Sequence, residues 1–309
     1  MQKILITGGA GNIGSALALE LAKQRDNLVV IVDNLLTGSR AKIPKVNNIR
    51  FIHADVNVLN QIKSVFDQFK FDYVFHYAAV VGVQRTLNNP IKVLEDIEGI
   101  KNILKLSNDH NVKRVFYASS SEVYGEPFEF PQKEQTTPLN SRLPYAIVKN
   151  VGEAFFKSFQ KEYGLNYTIF RFFNTYGVNQ SEDFVIPRFI SAAINNEPIK
   201  IYGKGSQSRT FCYVEDNVEV TLRSMTSKLC ENDLLNVGSD IEVSILELAQ
   251  KIIELTNSKS QIKFLPALEE GDMTRRCPDI SKMKNILKRD LICLESGLKK
   301  LIKSYEDRQ

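Results

Sequence analysis

Residues 7–14 read "TGGAGNIG", at the seam between a short β-branched run, "KILIT" (3–7), and a helix-period segment over about 13–25. A strand that ends in closely spaced glycines and restarts as a helix aims free N–H groups and a positive dipole end at one spot, which suits a pyrophosphate. Gly8 allows the tight turn, Gly11 lets the backbone come close, and Gly14 lets helix pack on strand, with Asn12 and Ile13 completing the turn. The spacing is GxxGxxG, one residue off the GxGxxG form, and a plain turn has the same look. Asp33 adds the discriminating feature. It ends the second strand about twenty residues downstream, where a carboxylate accepts from the adenosine ribose hydroxyls and repels a 2′-phosphate, so the expected cofactor is NAD rather than NADP. Asn34 follows it. Asp55 and Val56, after the third strand, are candidates for the adenine edge, and Asp55 reads equally well as a loop acid or helix cap.

Outward from this seam the chain keeps alternating. "LVVIV" (28–32), "IRFIHA" (49–54), "DYVFHY" (72–77), "RVFYAS" (114–119) and "YTIFRF" (167–172) read as strands, separated by amphipathic stretches at about 58–69, 90–109 and 144–163. Strands that are apolar at consecutive positions need cover on both faces, which is the parallel doubly wound arrangement. The expected fold is therefore α/β, a Rossmann-type doubly wound parallel sheet with a smaller, mostly helical C-terminal lobe. After about residue 176 the rhythm changes, with short strands at 233–237 and 262–265. We assign 1–176 to the NAD-binding domain, with part of 210–237 returning to it, and 177–309 to a lobe that caps the sheet. Ligands of such sheets collect at the carboxyl ends of the strands.

Composition narrows the partner. Of 309 residues, 43% are hydrophobic, and 40 basic against 36 acidic side chains leave only +4, with no Lys/Arg run to mark a nucleic-acid groove or a membrane-binding face. A small molecule is the expected partner. Cys212, Cys230, Cys277 and Cys293 lack CxxC spacing, so reduced thiols in a cytoplasmic protein are the simplest account and no metal is expected. No stretch has the length or apolarity of a membrane span or an export signal.

Two segments carry the chemistry. "YAIVK" (145–149) puts Tyr145 and Lys149 one helical turn apart, on a shared face. A neighbouring ammonium and a cationic nicotinamide would lower the tyrosine's pKa and favour the phenolate, and Lys149 can also hold the nicotinamide ribose. "YASSSEVYG" (117–125) falls at the end of the fifth strand, so Ser120 or Ser121 can meet the tyrosine over a substrate hydroxyl, while Ser119 is expected to cap the turn. Glu122 directly behind them is either a general base or an acid paired with a basic residue of the second lobe.

Taken together, "TGGAGNIG", "VDN" (32–34), "HYAA" (76–79), "SSSEVYG" (119–125), "YAIVK", "RFFNTYG" (171–177), "GSQSRTFCYVED" (205–216) and "RRCPDISK" (275–282) resemble the extended short-chain dehydrogenase/reductases of the nucleotide-sugar epimerase/dehydratase/decarboxylase group. The resemblance implies that Tyr145 deprotonates a sugar C4 hydroxyl with Ser120 hydrogen-bonded to the reacting oxygen, that Asn174 and Arg209 bind a diphosphate, and that Arg276 or its neighbour Arg275 contacts substrate. It also implies that Ala78 and Ala79 line the cofactor channel. Asn236 is read as a second-lobe polar contact or a turn residue.

A 4-keto sugar has three exits: re-reduction on the other face, loss of a C6 carboxylate, or loss of water across C5 and C6. Within the group, dehydratases and UDP-glucuronate decarboxylases carry an acid at the position of Glu122 and an Arg at that of Arg276, whereas typical UDP-glucose 4-epimerases lack the acid. "HYAAVVGVQRT" (76–86) and "PYAIVK" instead look epimerase-like. Net 4-epimerisation of a UDP-sugar is placed first, decarboxylation of UDP-glucuronate second and 4,6-dehydration third. The alternative of another class is a catalytically silent NAD-binding sensor. By analogy a homodimer is expected through the helices at 90–109 and 144–163, which would otherwise expose Phe155, Phe156 and Phe159 unless these belong to the core.

Overall fold

The computed structural model describes residues 1–126, 128–267 and 275–307. Its first half runs β1 (Gln2–Thr7), α1 (Asn12–Ala22), β2 (Asn27–Asp33), β3 (Ile49–His53), α2 (Leu59–Phe69) and β4 (Tyr73–His76). Three helices follow, α3 (Val83–Asn88), α4 (Pro90–Leu94) and α5 (Asp96–Asp109), then β5 (Arg114–Ser120), α6 (Pro144–Tyr163) and β6 (Tyr167–Phe172). Beyond them come β7 (Thr175–Tyr176), α7 (Val185–Ile194), β8 (Ile199–Tyr202), β9 (Ser208–Thr210), β10 (Cys212–Tyr213), α8 (Val214–Thr226) and β11 (Asp233–Val237). The chain ends through β12 (Glu242–Ser244), α9 (Ile245–Thr256), β13 (Ile262–Leu265), α10 (Ser281–Leu287) and α11 (Leu294–Glu306).

Seven parallel strands form the central sheet in the order β11-β6-β5-β4-β1-β2-β3. The order reverses between β1 and β4, and the crevice above such a switch point is where these sheets bind ligands. The consecutive apolar residues divide between two cores. Ile4 and Ile6 enter one with α1 and α8 residues such as Leu17, Leu21 and Val218, while Leu5 enters the other with Ile62, Ile103 and Phe156. Both faces of every inner strand are therefore covered, as the doubly wound reading requires. β8 pairs with β13, β9 with β12 and β10 with β7, in three two-stranded sheets beside the main one.

One expectation needs correcting, and one alternative left open is narrowed. The single helix read at 90–109 is two segments, α4 and α5, meeting at Glu95. Asp96 opens α5 with its carboxylate turned to the Val80 N–H at 2.8 Å, so the break serves the loop after β4. Of the phenylalanines on α6, Phe156 is fully buried in the core and Phe155 and Phe159 pack partly against it, so these three are core residues before they are a surface.

Candidate active site

One cavity of about 350 Å³ opens above the carboxyl ends of β1, β2, β4, β5 and β6. The cofactor candidates Gly8, Gly11, Asn12, Ile13, Gly14, Asp33, Asn34, Asp55, Val56, Ala78 and Ala79 all line it. So do Ser120, Ser121, Glu122, Tyr145, Lys149, Asn174 and Arg276. Arg209, Asn236 and Arg275 do not.

At the glycine turn, Gly8 adopts φ +71°, and a Cβ there would lie 2.6 Å from the Ala78 N at the end of β4. At Gly14 a Cβ would sit 2.5 Å from the Gly8 carbonyl oxygen. These are the places where only glycine fits. Gly11 caps α1 without any side chain to satisfy the N–H groups of its first turn, which leaves them for a ligand. Asp33 accepts from the N–H groups of Ala10 (3.0 Å) and Leu35 (2.8 Å), so its carboxylate fixes the glycine turn from below as well as facing the cavity. Asp55 accepts from the Asn57 N–H and from Asn34 Nδ2, which makes it a loop cap that also lines the cleft. Backbone donors without a cap, a bare glycine cradle and one carboxylate at the strand end fit a dinucleotide.

Around the reacting end, Lys149 is 3% exposed and its Nζ lies 5.6 Å from the Tyr145 ring centre and 5.1 Å from that of Tyr117. Burial pulls its ammonium down to about 8, and the buried carboxylate of Asp96 opposes the shift. His76, hydrogen-bonded to Thr7 Oγ1 at 2.9 Å, is pushed down to about 3 by burial and then by the lysine charge, so it stays neutral. Burial drives the Tyr145 phenol well above its ordinary value, the Glu122 charge adds to this, and a hydrogen bond from Ser120 opposes it. Against this burial stand the two positive charges expected to favour the phenolate, the Lys149 ammonium, which lies over the ring faces, and a bound nicotinamide.

Ser120 keeps its expected place beside Tyr145 and also takes the capping part expected of Ser119. The Ser120 hydroxyl accepts from the Glu122 N–H at 3.2 Å and caps the helical turn Ser121–Tyr124. Ser119 instead donates at 2.6 Å to Glu153, because strand alternation points it to the opposite face. Glu122 pairs with Arg276 across the cleft, Oε1 to Nη1 at 2.8 Å, and that guanidinium also reaches Ser121 Oγ at 3.4 Å. Arg276 is 4% exposed. Arg275 turns away, chelated by Glu242 and lying 4.1 Å over the Phe130 ring, so it is no cleft residue. Arg209 donates to the Ser208 carbonyl on β9, away from the cavity wall. Asn236 is not a turn residue, and its amide donates to the Asp279 carbonyl of the C-terminal segment. It is a fully buried member of β11.

The sequence reading missed Asp96, the carboxylate in the cleft wall nearest in influence to Lys149, and the buried Glu153–Arg171 pair. Arg171 inside the apolar run "YTIFRF" was the available signal, since a charge in a covered strand needs a partner.

The NAD dependent epimerase/dehydratase family matches residues 4–238. The chain belongs to this family. It is 37% identical to a UDP-N-acetyl-alpha-D-glucosaminuronate decarboxylase of Bacillus cytotoxicus, over 99% of this chain and 98% of that protein. To UDP-glucuronic acid decarboxylase 1 of Danio rerio it is 34% identical, over 98% of this chain and 72% of the relative. The UDP-glucose 4-epimerase of Thermotoga maritima, solved with UDP-glucose, superposes with a TM-score of 0.94 at 29% identity, over 99% of both chains. The protein is thus a member of the NAD-dependent nucleotide-sugar epimerase/dehydratase/decarboxylase family, with the doubly wound fold expected of it.

Proposed function

We propose that this enzyme decarboxylates a UDP-linked hexuronate through transient oxidation at C4. The observation that carries the reading is the Glu122–Arg276 ion pair in the cleft wall, beside Tyr145 and its hydrogen-bonded Ser120. NAD, when bound, supplies the two-electron acceptor for C4 and a positive charge. Tyr145, as the phenolate that the Lys149 cation and the positive charge of bound NAD favour, takes the C4 hydroxyl proton and becomes the phenol while Ser120 orients the oxygen. A ketone at C4 turns a C6 carboxylate into a β-keto acid. When the C5–C6 bond breaks, carbon dioxide departs and its electron pair is delocalised onto the C4 oxygen. The Arg276 guanidinium suits both the planar carboxylate before the step and the enolate after it. Glu122 serves as the acid–base group that takes a proton from water and relays it to C5, and its pairing with Arg276 holds both at that carbon. Asn174, in the cleft wall with φ +32° and Nδ2 tied to the Thr210 carbonyl, is assigned to the diphosphate.

Epimerisation at C4 needs no acid–base group at C5, and so gives this pair no task. The likeness of nearly this whole chain to two hexuronate decarboxylases points the same way. These observations reverse the order reached from the sequence, which put epimerisation first. Epimerisation is the second reading, favoured by the likeness to the Thermotoga maritima enzyme. Incubation with UDP-glucuronate, UDP-N-acetylglucosaminuronate, UDP-glucose and UDP-N-acetylglucosamine, with products identified by mass and NMR, separates the readings. Loss of carbon dioxide from one or both hexuronates is the expected result. An inverted C4 at unchanged mass, or loss of water, overturns it.

A further inference from the structure

Three neighbouring strands carry a polar rung in an otherwise apolar sheet. Ser119 of β5 is in register with Arg171 of β6, and Arg171 with Asn236 of β11, so all three side chains leave one face at one level. Glu153 on α6 covers the rung, accepting from Ser119 Oγ (2.6 Å), Arg171 Nε (2.8 Å) and Arg171 Nη2 (2.7 Å). Arg171 Nη1 donates to the Tyr124 hydroxyl at 2.8 Å, and that hydroxyl donates to Asn236 Oδ1 at 2.8 Å. The amide's other end, Nδ2, donates to the carbonyls of Gln132 (2.9 Å) and Asp279 (3.3 Å). Gln132 in turn binds the segment after Arg276 on both sides of Pro278, its N–H to the Cys277 carbonyl and its carbonyl to the Asp279 N–H, each at 2.8 Å.

Tyr124 closes the same helical turn that carries Glu122, and Cys277 follows Arg276 directly. One buried amide therefore links the turn that carries Glu122, through the Tyr124 hydroxyl, to the segment that follows Arg276, through the Gln132 and Asp279 carbonyls. We infer that Asn236 is a positioning residue that sets the register between Glu122 and Arg276, and so governs the step after C4 oxidation without touching substrate. The inference rests on the proposed role of that ion pair. No apolar residue of similar size reproduces it, because the amide accepts from one segment and donates to the other, and each group left unpaired in this dry site disfavours the arrangement.

The test uses the full-length enzyme loaded with NAD and follows two signals on addition of UDP-glucuronate, the appearance of bound NADH and its later decay. Asn236→Asp keeps the acceptor for Tyr124 and loses the donor for Gln132 and Asp279. We expect NADH to form within twofold of the wild-type rate and to decay at least tenfold more slowly. In an Arg276→Ala background the same change should slow the decay less than twofold, since the contact it tunes is gone. Equal fractional losses in both backgrounds, or an unchanged decay, overturn the inference and leave Asn236 a fold residue. Tyr124→Phe, which keeps both donor bonds of Asn236 but frees the turn of Glu122, must show the same selective slowing, and it decides the matter if Asn236→Asp does not fold. Should the wild type return an epimer instead of carbon dioxide, the decarboxylase reading fails by itself. The coupling of Asn236 to Arg276 is still read from the NADH decay.

Discussion

The two sides of the cleft are built by different means. On the β1–β2 side the walls are mostly backbone: a glycine turn held by Asp33, bare N–H groups at the start of α1, and the small residues Ala78 and Ala79. On the β5–β6 side they are side chains, namely Tyr145 and Lys149, whose titration burial shifts, and the ion-paired Glu122 and Arg276. Backbone walls suit a ligand recognised by shape and dipole, whereas paired ionisable groups suit proton traffic. Cofactor binding should therefore survive changes that abolish turnover.

Tyr145→Phe gives the largest separation. Turnover should drop by at least about a hundredfold, as removal of a general acid–base group does, while the NAD content of the purified enzyme is unchanged. Loss of NAD together with activity would mean the two sides are not independent. Glu122→Gln comes next and divides the reactive side itself: NADH should still appear with UDP-glucuronate, and release of carbon dioxide should fall about tenfold or more. A parallel loss of both signals would place Glu122 in the oxidation instead.

The lysine supplies a pH test. Burial holds Lys149 at about 8, below the ordinary lysine value of 10.5. Asp96, His76, Tyr117 and Tyr145 surround it, and of these His76 is already neutral at working pH. As the pH rises through about 8 the ammonium is lost and turnover should fall. Lys149→Arg keeps its charge past that point and should lack this alkaline limb. The sign for stability is opposite, because between about 8 and 10.5 the unfolded chain binds the extra proton, so this group's contribution grows with pH over that window. The smallest effect belongs to the cofactor side. Asp33→Asn removes one anionic acceptor from the glycine turn and should weaken NAD binding about tenfold and relax the preference over NADP, measured by calorimetry with both nucleotides.

The same contrast explains how much could be read from the sequence. The cofactor side is written in contiguous motifs, and "TGGAGNIG" with Asp33 specified the turn and the strand end beside it. The strand at 233–237 and the helix at 144–163 were equally plain, since hydrophobic period is local information. The reactive side is assembled from distant segments. Nothing near Ser119 announces that it faces Glu153 rather than the turn, and that outcome depends on which face of β5 the strand register presents. The choice between Arg275 and Arg276 depended on Glu242 and Phe130, which capture the first and leave the second to Glu122. The rise of the Tyr145 pKa follows from burial, a quantity that no pair of residues one turn apart can reveal.

The central claim concerns what happens at C5 and C6. UDP-glucuronate carrying an isotopic label at C6 should be turned over in deuterated water and its products followed by NMR and by trapping of gas. The account predicts that the label leaves as carbon dioxide, one for each UDP-pentose formed, with a single deuterium at C5 of the product. Label retained in a UDP-hexuronate inverted at C4, with no deuterium at C5, would contradict it.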